Sequence, residues 1–279
     1  MLKEIFFQNS EELKKAKNEE KLLKSINFSN IVKYYKSYQE ENSFFILMEF
    51  CENSDLRDFI AQHKKDKKLI DKNVIYFIIL DICSGLKEIH NKNIIHRDLN
   101  PNNIFISKDY KIKIGDFGIS KKLMNTNNAS TNFIGIPGYM APELLDSDKY
   151  NNKVDIWSLG CIIYELCTLK VCFELKDKNI NGYYNKIKEG IYERNELLNN
   201  SGWSNIIENL FKKNKGDRPD IKELYDLVIN QGQENISIEQ NYLFSLDKIS
   251  RNILINKKQV NIIETNLETT KQKLLLFIG

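Results

Sequence analysis

Three features of the sequence predict an α+β fold. Residues 44–50, Phe-Phe-Ile-Leu-Met-Glu-Phe, form a run that is apolar except at Glu49 and reads as a buried strand. Residues 73–91 carry Ile75, Ile78, Ile79, Ile82, Leu86 and Ile89 at helical spacing, the signature of a long core helix. Two short runs, Ile104-Phe105-Ile106 and Ile112-Lys113-Ile114, flank the polar turn Ser107-Lys108-Asp109-Tyr110 and read as a β-hairpin. Composition agrees: the 279 residues are 42% hydrophobic and 28% charged, as in soluble globular proteins.

A helix is expected ahead of that strand, with Ala16, Glu19 and Leu23 at i, i+3 and i+7 on one partly apolar face. A carboxylate on such a face wants a cationic partner; the alternative is a set of solvated charges on a Lys/Glu-rich helix. The strand at 44–50 then runs into a turn, Cys51-Glu52-Asn53-Ser54-Asp55. In the hairpin, Asn103 stands just before the first strand and Asp116 just after the second. Pairing the strands brings an amide oxygen and a carboxylate together at the open end. Such a pair suits Mg²⁺, a hard cation that takes few protein ligands and draws the rest from water and phosphate. Asp98 lies in the loop entering the hairpin, where it can face the same point.

Several classes of function are disfavoured. A net charge of +3 is too small to make nucleic acid or a membrane surface the main partner. No apolar run approaches the ~20 residues of a membrane span, and the opening residues show no secretory h-region. Five cysteines without close spacing suggest reduced thiols, hence a cytoplasmic setting, with the nucleus or cytoskeleton as alternatives.

At His96-Arg97-Asp98-Leu99 with Asn103, and at Asp116-Phe117-Gly118, the chain resembles a eukaryotic protein kinase. Further matches follow in order. They are Gly135-Ile136-Pro137-Gly138-Tyr139-Met140-Ala141-Pro142-Glu143, then Asp155-Ile156-Trp157-Ser158-Leu159-Gly160, then Gly216-Asp217-Arg218-Pro219. The resemblance implies a two-lobe fold, with a truncated β-containing N-lobe, a mainly helical C-lobe and a helical tail. It divides the chain into a partial N-lobe at 1–50 (strand, helix, two strands), a C-lobe at 51–230 and a tail at 231–279. It implies ATP and Mg²⁺ as cofactors, Asp98 as the base that orients a substrate hydroxyl, and Asn103 and Asp116 as metal ligands. It assigns Lys3 to the phosphate-binding strand lysine and Glu19, rather than Glu20, to its helix partner, over a separation a little shorter than usual. Met48 takes the gatekeeper position, with the backbone of Glu49 and Cys51 facing the adenine. Arg218 is expected to hold Glu143 bidentately; with Asp155 these two are structural residues rather than catalytic ones.

Within the family, the segments 48–52, 159–167 and 186–190 look most like the NIMA-related Ser/Thr kinases. Pro101 and the setting of Met140-Ala141-Pro142-Glu143 favour Ser/Thr over Tyr substrates. The chain also departs from the pattern. Its first glycine is Gly85, so a glycine-rich phosphate lid is absent from these residues. An incomplete chain is favoured over a genuinely reduced lobe, because losing strands exposes a sheet edge. Asn100 stands where the family usually has Lys, and Ile136 where it usually has Thr, two partners in one network. The polar segment from Ile119 to Ile134 resembles an activation loop, with Thr131, Ser130 and Thr126 as phosphorylation candidates near Arg97.

Beyond residue 230 the resemblance stops. Leu246, Ile253, Val260, Leu267 and Leu274 recur every seven residues, followed at three positions by Ile249, Asn256, Ile263, Thr270 and Phe277. This heptad pattern predicts either a coiled coil, giving a homodimer or a partner-helix contact through 246–277, or a helix packed on the main domain. The expected function is transfer of the ATP γ-phosphate to Ser/Thr hydroxyls of a protein substrate, weakly for this chain. The alternative is a pseudokinase or truncated kinase that serves as a protein-binding scaffold.

Overall fold

The structure, a computed structural model, describes residues 1–118, 121–122, 137–146, 149–175 and 179–232. The candidate phosphorylation residues Thr126, Ser130 and Thr131, together with Ile136 and the heptads of 246–277, lie outside the described residues.

A small strand-containing lobe comes first. Strands β1 (Leu2–Phe6), β2 (Tyr34–Glu40) and β3 (Ser43–Met48) form an antiparallel sheet in the order β1-β3-β2. The central position of β3 explains its apolar run: Phe44, Phe45, Ile46 and Met48 are all buried. The strand stops at Met48, short of the expected end at residue 50, and Phe50 is exposed. There the Glu49 N–H turns to donate to the carbonyl of Lys33. Helix α1 (Ser10–Ser25) is started by Asn9, whose side chain accepts from the N–H groups of Glu11 and Glu12. Its inner face buries Ala16, Glu19, Leu22 and Leu23 against the sheet.

The larger lobe is mostly helical. After α2 (Leu56–Lys65), helix α3 (Lys72–Asn91) is capped by Asp71 and buries the expected isoleucines together with Val74 and Cys83. Helix α5 (Lys153–Thr168) is buried along nearly its whole length, as its near-continuous apolar sequence requires. Around these run α4 (Pro142–Leu145), α6 (Ile180–Glu189), α7 (Glu196–Ser201), α8 (Ser204–Leu210) and α9 (Ile221–Gly232), the last packed on α3. Short strands complete the lobe: β4 (Ile94–Ile95) pairs with β7 (Lys121–Lys122), and β5 (Ile104–Ile106) pairs with β6 (Ile112–Ile114). All five cysteines are free and buried. Among the described residues no helix is long and apolar enough to cross a membrane.

A short backbone lattice joins the lobes. Val32 N donates to Ile114 O, Ile114 N to Asn30 O, and the Asn30 side-chain amide to Ile112 O. Gly85 permits this approach, because a Cβ there would lie 2.7 Å from the Asn30 carbonyl. The hairpin is thereby held against the linker that enters β2.

Candidate active site

The β5–β6 pairing has the register Ile104↔Ile114, Phe105↔Lys113 and Ile106↔Ile112. Its open end closes with a hydrogen bond from Gly115 N to Asn103 O at 2.9 Å, which leaves Asp116 one residue beyond Gly115, the residue that faces Asn103. Asn103 ends a 3₁₀ turn, Pro101–Asn103, that opens at Asn100. The Asn103 side-chain amide donates to Asp98 twice, at 2.8 Å to its carbonyl and 3.0 Å to Oδ2. Asp98 and Asn103 are thus in direct contact.

Asp116 adopts a left-handed backbone (φ 56°), which Asp tolerates better than bulkier residues. Its Oδ1 accepts from Lys3 Nζ at 2.8 Å and from Gly118 N at 3.2 Å. Lys3 Nζ also lies 2.8 Å from Glu19 Oε1, so one ammonium bridges a carboxylate from each lobe. Glu19 is buried at 2% exposure, whereas Asp116 is 42% exposed. Gly118 sits against this cluster, where a Cβ would lie 3.2 Å from Asp116 Oδ1 and 3.4 Å from Glu19 Oε2.

The electrostatics follow from burial competing with charge. Burial alone would raise Asp116, but the Lys3 ammonium outweighs it and holds the carboxyl below its ordinary range. Burial raises Glu19, with Lys3 opposing. Burial would lower Lys3, yet the two carboxylates keep it above its usual value. Burial also pushes Asp98 up, against the opposing effects of His96 and the hydrogen bonds from Asn103 and Asn100. One cation thus serves two carboxylates, with the Asp98 carboxyl close enough to interact with Asp116. The surplus is negative and every available donor is oxygen, which fits a hard divalent cation at Asn103 and Asp116. With both N–H groups of its amide directed at Asp98, Asn103 retains its amide oxygen for that role.

Beneath the loop, Asp155 is wholly buried. It accepts from His96 N at 3.0 Å, Arg97 N at 2.8 Å and His90 Nε2 at 2.8 Å. Burial would raise this carboxyl, and the His90 hydrogen bond leads the groups that lower it below its ordinary range. The bond to Arg97 N anchors a residue held left-handed (φ 67°), a conformation that costs about 1–3 kcal/mol unless its surroundings enforce it. Sequence reasoning misses His90, which reads there only as part of a core helix. The signal is a lone imidazole on the buried face of an otherwise apolar helix end. Farther out, Arg218 grips Glu143 with two bonds, 2.7 and 2.9 Å, and its guanidinium lies 4.9 Å from the ring centre of Trp157.

At the junction of the lobes is a cavity of about 280 Å³, lined among others by Met1, Val32, Glu49, Cys51, Asp55 and Phe105. Glu49 and Cys51 therefore face an open space, while Met48 is buried behind it and does not line it. Phe105 is not anticipated there from sequence; on the middle position of β5 its ring leaves the hairpin face and lies over Gly115, whose Cβ, if present, would be 2.8 Å away. The Cys51 thiol is pushed up to about 12, burial being the main cause, so it is a poor nucleophile.

Comparison with known proteins places this geometry. The Protein kinase domain family matches residues 2–228. The chain is 35% identical to Serine/threonine-protein kinase Nek1 of Mus musculus, across 78% of this chain and 18% of that protein. It is 37% identical to Serine/threonine-protein kinase Nek5 of Homo sapiens, across 80% of this chain and 32% of that protein. It is 36% identical to Probable serine/threonine-protein kinase nek2 of Dictyostelium discoideum, across 80% of this chain and 54% of that protein. The chain thus spans from about a fifth to about half the length of these relatives. The chain belongs to the protein kinase family, and its relatives include NIMA-related Ser/Thr kinases.

Proposed function

We propose that this chain transfers the γ-phosphate of ATP to Ser/Thr hydroxyls of a protein substrate. The observation that carries the reading is that two hydrogen-bonded pairs, Asp98–Asn103 and Lys3–Asp116, with bonds of 2.8–3.0 Å, meet at the open end of one hairpin, which the bond from Gly115 N to Asn103 O closes. Asp98 orients the hydroxyl and takes its proton as the oxygen bonds to the γ-phosphorus. The bond from phosphorus to the β,γ-bridging oxygen breaks, and ADP leaves with that electron pair. Mg²⁺, held by Asn103 and Asp116, would supply charge neutralisation on the phosphates. The cavity at Glu49 and Cys51 takes the adenine, whose edge needs one acceptor and one donor; the Glu49 N–H is already held by Lys33 O, which leaves its carbonyl for the acceptor. Five free thiols suit a cytoplasmic setting.

The test is phosphate incorporation from ATP into a Ser/Thr peptide, wild type against Asp98→Asn. The asparagine keeps the size of the side chain and removes its basicity, so turnover should fall about 10²–10⁴-fold, while its NH₂, set against an N–H of Asn100 or Asn103, lowers the melting temperature without unfolding the chain. Equal incorporation by the two proteins would remove Asp98 from the reaction. A scaffold reading is favoured by one observation: Asn100 is only 1% exposed and puts no cation at the phosphate position. That reading stands if the wild type binds ATP and transfers nothing.

A further inference from the structure

The residue that looks most like a catalytic loss has a full set of bonds in this structure. The Asn100 side-chain amide donates to the Asp98 carbonyl at 3.0 Å and to Asp98 Oδ1 at 2.9 Å. Asn103 makes the matching pair on the other side, to the same carbonyl and to Oδ2. Two amide groups therefore spend four N–H donors on one aspartate, each taking the carbonyl and one carboxylate oxygen. The orientation of Asn100 is fixed from its other end, where Oδ1 accepts from Asn102 N at 3.0 Å. Flipping the amide would turn an oxygen towards two acceptors and an NH₂ towards a donor, so a single orientation satisfies the site. Asn100 and Asn103 are both buried, at 1% and 7% exposure, where such bonds are not readily exchanged for water.

We propose that Asn100 is a positioning residue for Asp98, one arm of a two-amide clamp that fixes the plane of the carboxylate towards the incoming hydroxyl. The inference rests on Asp98 being the base, as proposed above. It assigns to Asn100 a steric and hydrogen-bonding role that does not extend to the phosphate. A cation on a longer side chain could both hold the aspartate and touch the transferring group; the amide of Asn100 does only the first. Phosphoryl transfer depends on alignment, and misplacing a reacting group by an ångström costs up to ~10²-fold.

Two substitutions separate this role from plain support of the 3₁₀ turn. Asn100→Asp keeps the oxygen that caps Asn102 N and loses both donors to Asp98. Asn100→Ala loses the cap and the donors together. A clamp predicts that both variants lose kcat by roughly 10- to 100-fold with the KM for ATP unchanged, Asp being at least as impaired as Ala. A turn cap predicts that Asp matches wild type while Ala is impaired, which overturns the proposal. Should the alanine variant fail to fold, Asn100→Asp carries the test alone. A readout independent of turnover is the solvent exchange of the side-chain amide protons, followed by ¹⁵N NMR in the intact chain. Those of Asn100 and Asn103 should be protected, and protection at Asn103 should drop in Asn100→Asp. Fast exchange at both in the wild type overturns the clamp even if the enzyme is active. Protected amides in a wild type without turnover sustain the clamp and reject the kinase reading.

Discussion

Two ion-pair clusters, one within the larger lobe and one bridging the two lobes, show how the same chemistry is put to different uses. Arg218 and Glu143 are 0% and 7% exposed, and the guanidinium spends its remaining donors on the backbone carbonyls of Lys212, Lys153 and Lys213. Nothing is left over, so the pair can do nothing but hold the lobe together. Lys3 is 28% exposed and shared between Glu19 and Asp116, the latter open to solvent. This second cluster has unbalanced charge and a solvent-facing side, as a site that receives a charged ligand needs. Full satisfaction marks architecture, whereas unbalanced charge on a solvent-facing side marks a candidate for chemistry.

The contrast is most severely tested at Arg218. Replacement by Leu strands the Glu143 carboxylate and should lower the unfolding free energy by about 3–5 kcal/mol, read from urea denaturation. A loss below about 1 kcal/mol would mean that the pair is not structural after all.

Gly115 offers a finer division, because it lies where tight packing meets the cavity. Its substitution by Ala drives a methyl into the Phe105 ring and Val32, whose nearest atoms lie 2.8 and 2.9 Å from where the new Cβ would stand. Overpacking of this kind costs about 1–3 kcal/mol, and the displaced ring should weaken nucleotide binding in calorimetry. Unaltered ATP affinity would take Phe105 out of the floor of the site.

A smaller stability effect than at Arg218 is expected at Lys3. Removal of its charge by Met leaves the solvent-screened Asp116 carboxylate little affected but takes the cation from the buried Glu19, so the unfolding free energy should fall by about 1–3 kcal/mol. ATP affinity should nevertheless fall about tenfold, the equivalent of roughly 1.4 kcal/mol. A variant as unstable as Arg218→Leu, with nucleotide binding intact, would reverse the roles assigned to the two clusters.

Much of this was legible along the chain. The alternation of Ile104 to Ile106 and Ile112 to Ile114 specifies the hairpin, because a strand's side chains change face at every residue. The run at Ile75 to Ile89 specifies a helix with one buried side for the corresponding reason at period 3.6. Glu19 on the face of Ala16 and Leu23 already implied a cationic partner. The strand end at Met48 was not legible, since the aromatic Phe50 reads as one more buried position and instead lies exposed beyond the strand.

What the sequence by itself determined, then, is local: element type, the buried side of each element, and the placing of Asn103 and Asp116 together at the open end of one hairpin. Only the tertiary structure decided that a single ammonium serves Glu19 and Asp116, 113 positions from Lys3 in the second case. It also decided that His90 supports Asp155 and that Asn100 grips Asp98 rather than standing empty in place of a cation. Periodicity records which residues leave water, because burial acts on each side chain separately and without direction. Hydrogen bonds and ion pairs are directional and gain their strength from the burial that only the assembled fold supplies, so their partners are settled last.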